Sequence, residues 1–189
     1  DNRLTLNTAI YHITWSNLPN TLGSGTCRVV NNIGEAESKG IEVELAYLLN
    51  ESLRLDTYVS YNDATFTKTT KDSKLVEGET LSYAPHINAG LGLEYGFDLG
   101  RMPAFIRTDV NYLSEAQTVF DQHGKSNYQT VGDYISIGFR FGVSVDQWGL
   151  AFYGSNLLNE DPNIAVDTPN LASGKLRPRK LGFEAKYNF

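Results

Sequence analysis

The chain has 189 residues, is 41% hydrophobic and 20% charged, and carries a formal net charge of -6. That balance excludes a disordered acidic tail and a basic nucleic-acid binder, and no stretch approaches the roughly 18 consecutive apolar residues of a helical membrane span. A membrane β-barrel stays open, because only alternate strand residues meet lipid, and the eleven tyrosines, nine phenylalanines and seventeen glycines favour an aromatic, glycine-rich β-protein.

In chain order, the first expected strand runs from Leu4 to Trp15, where the alternation is too irregular to set which residues share a face. A polar connection over 17–33 holds Cys27, a lone cysteine that excludes an internal disulfide and is either a free thiol or one half of a bond to a partner elsewhere. Over 40–49, Ile41, Val43, Leu45, Tyr47 and Leu49 alternate with Glu42, Glu44 and Ala46, the two-residue period of a strand with one polar face. A turn at Asn50 leads into Leu53, Leu55, Val59 and Tyr61 against Arg54, Asp56, Ser60 and Asn62, which completes a hairpin. After a long connection over 68–80, Ile87, Ala89, Leu91, Leu93, Tyr95 and Phe97 oppose Asn88, Gly90, Gly92, Glu94 and Gly96. Beyond a tight turn at Gly100, Ala104, Ile106, Thr108, Val110 and Tyr112 oppose Phe105, Arg107, Asp109 and Asn111. A third long connection spans 115–128. Ile135, Ile137, Phe139, Phe141, Val143 and Val145 then oppose Ser136, Gly138, Arg140, Gly142 and Ser144. Past a turn at Asp146, a strand over 148–156 has no clear register. A last long connection over 159–175 precedes Leu181, Phe183, Ala185, Tyr187 and Phe189 against Lys180, Gly182, Glu184, Lys186 and Asn188.

The expected fold is therefore all-β: an antiparallel up-and-down transmembrane β-barrel of about eight strands in four hairpins, with no helix. Tight turns alternate with long polar connections, so one end of the meander is trimmed and the other carries every large loop. That sorting is the asymmetry of outer-membrane barrels. Strands of about ten residues suit a tilted bilayer crossing. Aromatics near strand ends are expected to form interfacial girdles: Tyr11, Trp15, Tyr47, Tyr61, Tyr95, Phe97, Tyr112, Tyr134, Trp148 and Tyr187. The polar parity carries Glu42, Glu44, Arg54, Asp56, Glu94, Arg107, Asp109, Arg140, Lys180, Glu184 and Lys186, mixed in sign, and these are expected to line the lumen. In a soluble barrel the same residues would form the solvent face.

Several stretches, taken in order, resemble the C-terminal part of the β-barrel of TonB-dependent outer-membrane receptors. They are LTLNTAIYHITWSNL, NNIGEAESKGIEVELAYLL, LRLDTYVSYNDATF, GETLSYAPHINAGLGLEY, YGSNLLNED and LRPRKLGFEAKYNF. The resemblance implies one segment, 1–189, of a barrel of about 22 strands whose plug domain lies outside these residues. It implies that the closing strand is read by the barrel-assembly machinery, which carries over to Leu181, Phe183, Ala185, Tyr187 and Phe189. It further implies outer-membrane lipid, the remainder of the receptor and, through it, TonB as partners. The substrate would be scarce: a ferric siderophore, haem, cobalamin or a glycan. No cofactor and no nucleic acid are implied, and a signal peptide is expected outside the sequence.

Enzyme chemistry finds no constellation. His12, His86 and His123 are isolated and lack metal-ligand spacing, and neither H-E-x-x-H nor G-x-S-x-G occurs. Glu42 and Glu44 could mimic a carboxylate pair, but a polar wall explains them more simply. Gly90, Gly92 and Gly96 lie in a strand with no helix after it, which is wrong for a phosphate loop. The competing readings are a complete eight-stranded outer-membrane barrel with a structural, adhesion or small-pore role, a soluble carrier with an apolar interior, and a barrel-borne enzyme.

Overall fold

The structure is a computed structural model that describes residues 3–22, 29–71, 73, 75–118, 129–167 and 172–189. In chain order the strands are β1 (Leu4–Trp15), β2 (Pro19–Leu22), β3 (Val29–Asn32), β4 (Gly34–Leu48), β5 (Leu53–Thr69), β6 (Ile87–Leu99) and β7 (Met102–Leu113). There follow β8 (Ala116–Gln117), β9 (Thr130–Val131), β10 (Tyr134–Val145), β11 (Trp148–Ser155), β12 (Asn163–Asp167), β13 (Ala172–Lys175) and β14 (Lys180–Tyr187). Eight of them form one antiparallel sheet in the order β1-β4-β5-β6-β7-β10-β11-β14, and the described residues contain no helix. These are the eight strands and four hairpins expected from the alternation.

The tight turns need little chain. Gly100 (φ 72°) turns β6 into β7, and Asp146 (φ 50°) turns β10 into β11, both in the left-handed region that such short reversals require. All four long connections reach the opposite end of the meander. Three of them fold back as two-stranded ribbons, β2-β3, β8-β9 and β12-β13, where the sequence reading expected only polar loop. The strands also reach further than the alternation suggested: β4 starts at Gly34 rather than residue 40, and β5 runs on to Thr69. A register shift between Glu35 and Ala36 re-aims this extension. Cys27 and His123 lie outside the described residues.

Register carries each parity across the whole sheet. One row joins Leu4, Tyr47, Leu55, Leu93, Thr108, Phe139, Gly154 and Leu181. The next joins Leu53, Tyr95, Ile106, Phe141, Phe152 and Phe183. This apolar face is uncovered: Ile10 is 83% and Phe183 67% exposed. A soluble carrier would have turned it inward. The apolar row stops at Ile41, after which Lys39, Glu37 and Glu35 occupy the same parity toward the long-loop end.

β1, which the alternation left without a register, places Leu4, Leu6 and Ile10 on the apolar face. β11 places Trp148, Leu150 and Phe152 there. The same pairing corrects three girdle assignments. Tyr11 faces Gly40, Trp15 faces Ala36 and Tyr134 faces Leu113, all on the polar parity, so they belong to the other side of the wall. Tyr134 shares the parity of Ser136 and Gly138, so its face was legible from the alternation, whereas the face of Tyr11 and Trp15 depends on pairing.

Packing of a conventional kind is concentrated at the long-loop end. Leu18, Ile33, Ala36, Phe66 and Leu75 form one cluster, with Leu81 against it, and Ala116, Val131 and Val166 form a second. Phe66 is 1% exposed, so the extended β5 tip is anchored by burial as well as by its ladder.

Candidate functional site

The polar face brings most of the predicted charged residues into one network. Arg54 pairs in register with Glu94, Glu94 with Arg107, and Arg107 with Arg140, so four charged residues form one row across four neighbouring strands. Arg107 is the hub. Its Nη2 lies 2.7 Å from Asp109 Oδ1, and its Nη1 lies 3.2 Å from Asp56 Oδ2 and 3.6 Å from Glu94 Oε2. Arg54 Nη2 completes the group at 2.9 Å from Asp56 Oδ1. A planar guanidinium serves this arrangement because its fork offers donors to several carboxylates at once.

A second group lies toward β14. Arg140 Nη2 reaches Glu184 Oε1 at 2.6 Å, and the Arg140 and Lys180 cations sit 5.9 and 5.8 Å from the centroid of the Tyr153 ring. Glu42, Glu44 and Lys186 share the face but enter no ion pair among the described residues. Every predicted lumen residue is thus on the polar side, and they divide into an Arg107 group, an Arg140 group and three solvated charges.

Uncharged residues that the sequence reading did not single out complete the wall. Tyr58 donates to Asn111 Oδ1 at 3.3 Å, while Tyr11 (3.1 Å) and Ser38 (2.6 Å) both donate to Asn62 Oδ1. The parity of Tyr58, Asn62 and Asn111 was already available as the signal, whereas Tyr11 and Ser38 needed the pairing of β1 with β4. Glycines let large groups lie flat against the sheet. A Cβ at Gly92 would stand 2.5 Å from Arg107 Nη2, and one at Gly142 would overlap the Phe105 ring. A Cβ at Gly90 would likewise overlap the Tyr58 ring, so Gly90 and Gly92 both seat cross-strand side chains. Over β1 to β7 the polar face holds a concavity of about 300 Å³ bordered by Asn7, Glu44, Asp56, Tyr58, Arg107 and Asp109.

The long-loop end has its own fastenings. Buried Asn156 (φ 48°) donates through Nδ2 to the carbonyls of Glu160 (2.8 Å) and Arg177 (2.9 Å) and accepts from the Glu160 N–H (2.9 Å). Asn159 Oδ1 accepts from the Arg179 N–H at 3.1 Å. The stretch YGSNLLNED thereby pins the return of the chain into β14. On the outer part of β4, Glu37 accepts from Lys39 (2.6 Å) and shares a 3.1 Å contact with His12 Nε2, and these hydrogen bonds hold its carboxyl below the ordinary range. At the tight-turn end, Tyr187 packs on Trp148 (5.0 Å) and Phe189 (5.1 Å), and its hydroxyl bonds Gln147. Leu181, Phe183, Ala185 and Tyr187 occupy the apolar parity, as expected. Among the described residues no cluster of histidine, cysteine or carboxylate side chains could hold a metal ion.

A meander with one uncovered apolar face and a charged, concave opposite face is a section of transmembrane β-barrel wall. Residues 1–157 match the family described as TonB dependent receptor-like, beta-barrel, and the chain belongs to that family of outer-membrane β-barrel proteins. Over 120 residues it is 26% identical to the ferrioxamine B receptor of Salmonella typhimurium, which covers 63% of this chain and 16% of that protein. Its fold is similar to the ferric yersiniabactin uptake receptor of Yersinia pestis, with a TM-score of 0.80 at 18% identity over 100% of this chain and 28% of the other. The ferric-catecholate import receptor of E. coli K12 gives 0.79 at 17% identity, over 100% and 26%. The chain spans less than a third of the length of these relatives.

Proposed function

We propose that this chain is a wall segment of a TonB-dependent receptor that imports a ferric siderophore across the outer membrane. In this reading the apolar face meets lipid, the polar face lines the lumen, and the long connections stand on the outer side. The observation that carries the segment reading is the sheet order itself. β1 pairs only with β4 and β14 only with β11, so among the described residues no ladder closes the eight strands into a complete small barrel. An unpaired edge in hydrocarbon would leave backbone N–H and C=O groups unsatisfied, so further strands must cover both edges. The remaining wall strands, a plug domain and the TonB connection belong to the rest of the receptor.

The substrate class is supported by the relatives, which are named for ferrioxamine B, ferric yersiniabactin and a ferric catecholate rather than for haem, cobalamin or a glycan. The relatives reported above are named as receptors, two of them for uptake or import, which supports a transport role rather than an enzymatic one. β14, with Leu181, Phe183, Ala185, Tyr187 and Phe189, is the segment that the assembly machinery would read. Deleting the parent gene and supplying iron only as single ferric siderophores, haem or ferric citrate tests the reading. Loss of radiolabelled iron uptake from at least one siderophore, restored by the gene, is expected. Unchanged uptake from every siderophore offered, or a loss confined to haem, would refute the substrate assignment.

A further inference from the structure

The four long connections are not independent. The first cluster joins the connection over 16–33 (Leu18, Ile33) to the connection over 70–86 (Leu75, with Leu81 against it). The second joins the connection over 114–133 (Ala116, Val131) to the one over 156–179 (Val166). Two residues after Leu81 the chain reaches the second cluster at Tyr83. Its N–H donates to the Gln117 carbonyl at 2.7 Å. Its hydroxyl donates to the Val166 carbonyl at 2.8 Å and accepts from the Val166 N–H at 3.3 Å. One hydroxyl therefore serves both backbone groups of a residue 83 positions away. A further backbone bond, Gly132 N–H to Asn163 carbonyl at 3.0 Å, ties β9 to β12.

Tyr83 holds φ 56°, in the left-handed region that costs a residue with a side chain and persists only where the surroundings fix it. Nearly half of its surface is exposed, so packing alone does not account for that conformation; the three hydrogen bonds do.

We propose that Tyr83 is a clasp that couples the two clusters, so that all four connections respond as one body and a contact made at one of them is felt at the others. Coupling of this kind is established by a double-mutant cycle, because proximity alone does not demonstrate it. The test uses the full receptor in detergent and reads amide hydrogen exchange at Val166 and through β12–β13, with the β6–β7 ladder as internal control. Tyr83→Phe keeps the ring and removes only the hydroxyl. It should speed exchange at Val166 about tenfold while the β6–β7 ladder stays unchanged. Leu75→Ala, which loosens the first cluster, should speed exchange at Val166 in the wild-type background and add nothing in the Tyr83→Phe background. A Leu75→Ala effect of equal size in both backgrounds, or no effect of either substitution at Val166, would overturn the proposal. Neither readout involves a ligand, so the result stands apart from the substrate assignment.

Discussion

Replacing Asn156 by alanine removes three hydrogen bonds at a position that is 4% exposed. At about 1 kcal/mol net for each bond, with about 1 kcal/mol more for placing alanine at a left-handed φ, the full loss is near 4 kcal/mol. Glu160 and Arg177 are exposed, so water recovers part of it, and the expected local cost is about 2–3 kcal/mol. Because the bonds close the base of the last long connection, the cost appears as local opening rather than loss of the barrel. Amide exchange at Glu160, measured on the full receptor in detergent, should accelerate by roughly 30- to 150-fold. Asn156→Gly relieves the backbone strain and should be milder than alanine by about 1 kcal/mol. Asn156→Asp keeps the acceptor but sets a carboxylate against two carbonyls, and should be at least as damaging as alanine at neutral pH. A Glu160 amide that exchanges at the wild-type rate in Asn156→Ala would refute the claim that this side chain holds the loop base.

Gly142→Ala should cost about 1–3 kcal/mol in urea unfolding from lipid vesicles, because its Cβ overlaps the Phe105 ring, and the penalty should vanish when Phe105 is also alanine. Leu91→Arg, on the uncovered apolar face midway along β6, should cost about 2–4 kcal/mol in the same assay, whereas Ser60→Arg on the polar face should cost far less. Glu37 has its carboxyl held down by hydrogen bonds from Lys39 and then His12. The stability it contributes is present above the ordinary carboxylate value of 4.5 and is lost as pH falls through the lower folded-state value. Glu37→Gln should therefore flatten that acid limb of the unfolding midpoint and leave the remaining pH dependence unchanged.

The two faces were legible because a strand alternates with period two. Glu42 and Glu44 against Ile41 and Val43, or Arg107 and Asp109 against Ile106 and Thr108, could be sorted without knowing any neighbour. The division of loops between the ends followed from counting residues between alternating runs. What stayed hidden depended on partners. In β1, Tyr11 and Trp15 look like girdle aromatics until pairing with Gly40 and Ala36 turns them to the polar side. In β5 the alternation fades after Asn62, yet the strand continues because Phe66 is buried at its tip.

The sequence by itself determined the eight wall strands, the apolar and polar parities of six of them, the charges available to the polar wall and the sorting of tight turns from long connections. Each is a property of one segment read alone. Only the tertiary structure decided that Arg107 sits among Asp56, Glu94 and Asp109, that Gly142 lies beneath Phe105, and that β1 and β14 stay apart as the sheet's two edges. It alone showed that Tyr83 meets Val166. Register belongs to a pair of strands, and a contact between connections belongs to a pair of loops with no period of their own, so neither is encoded in any single stretch of the chain.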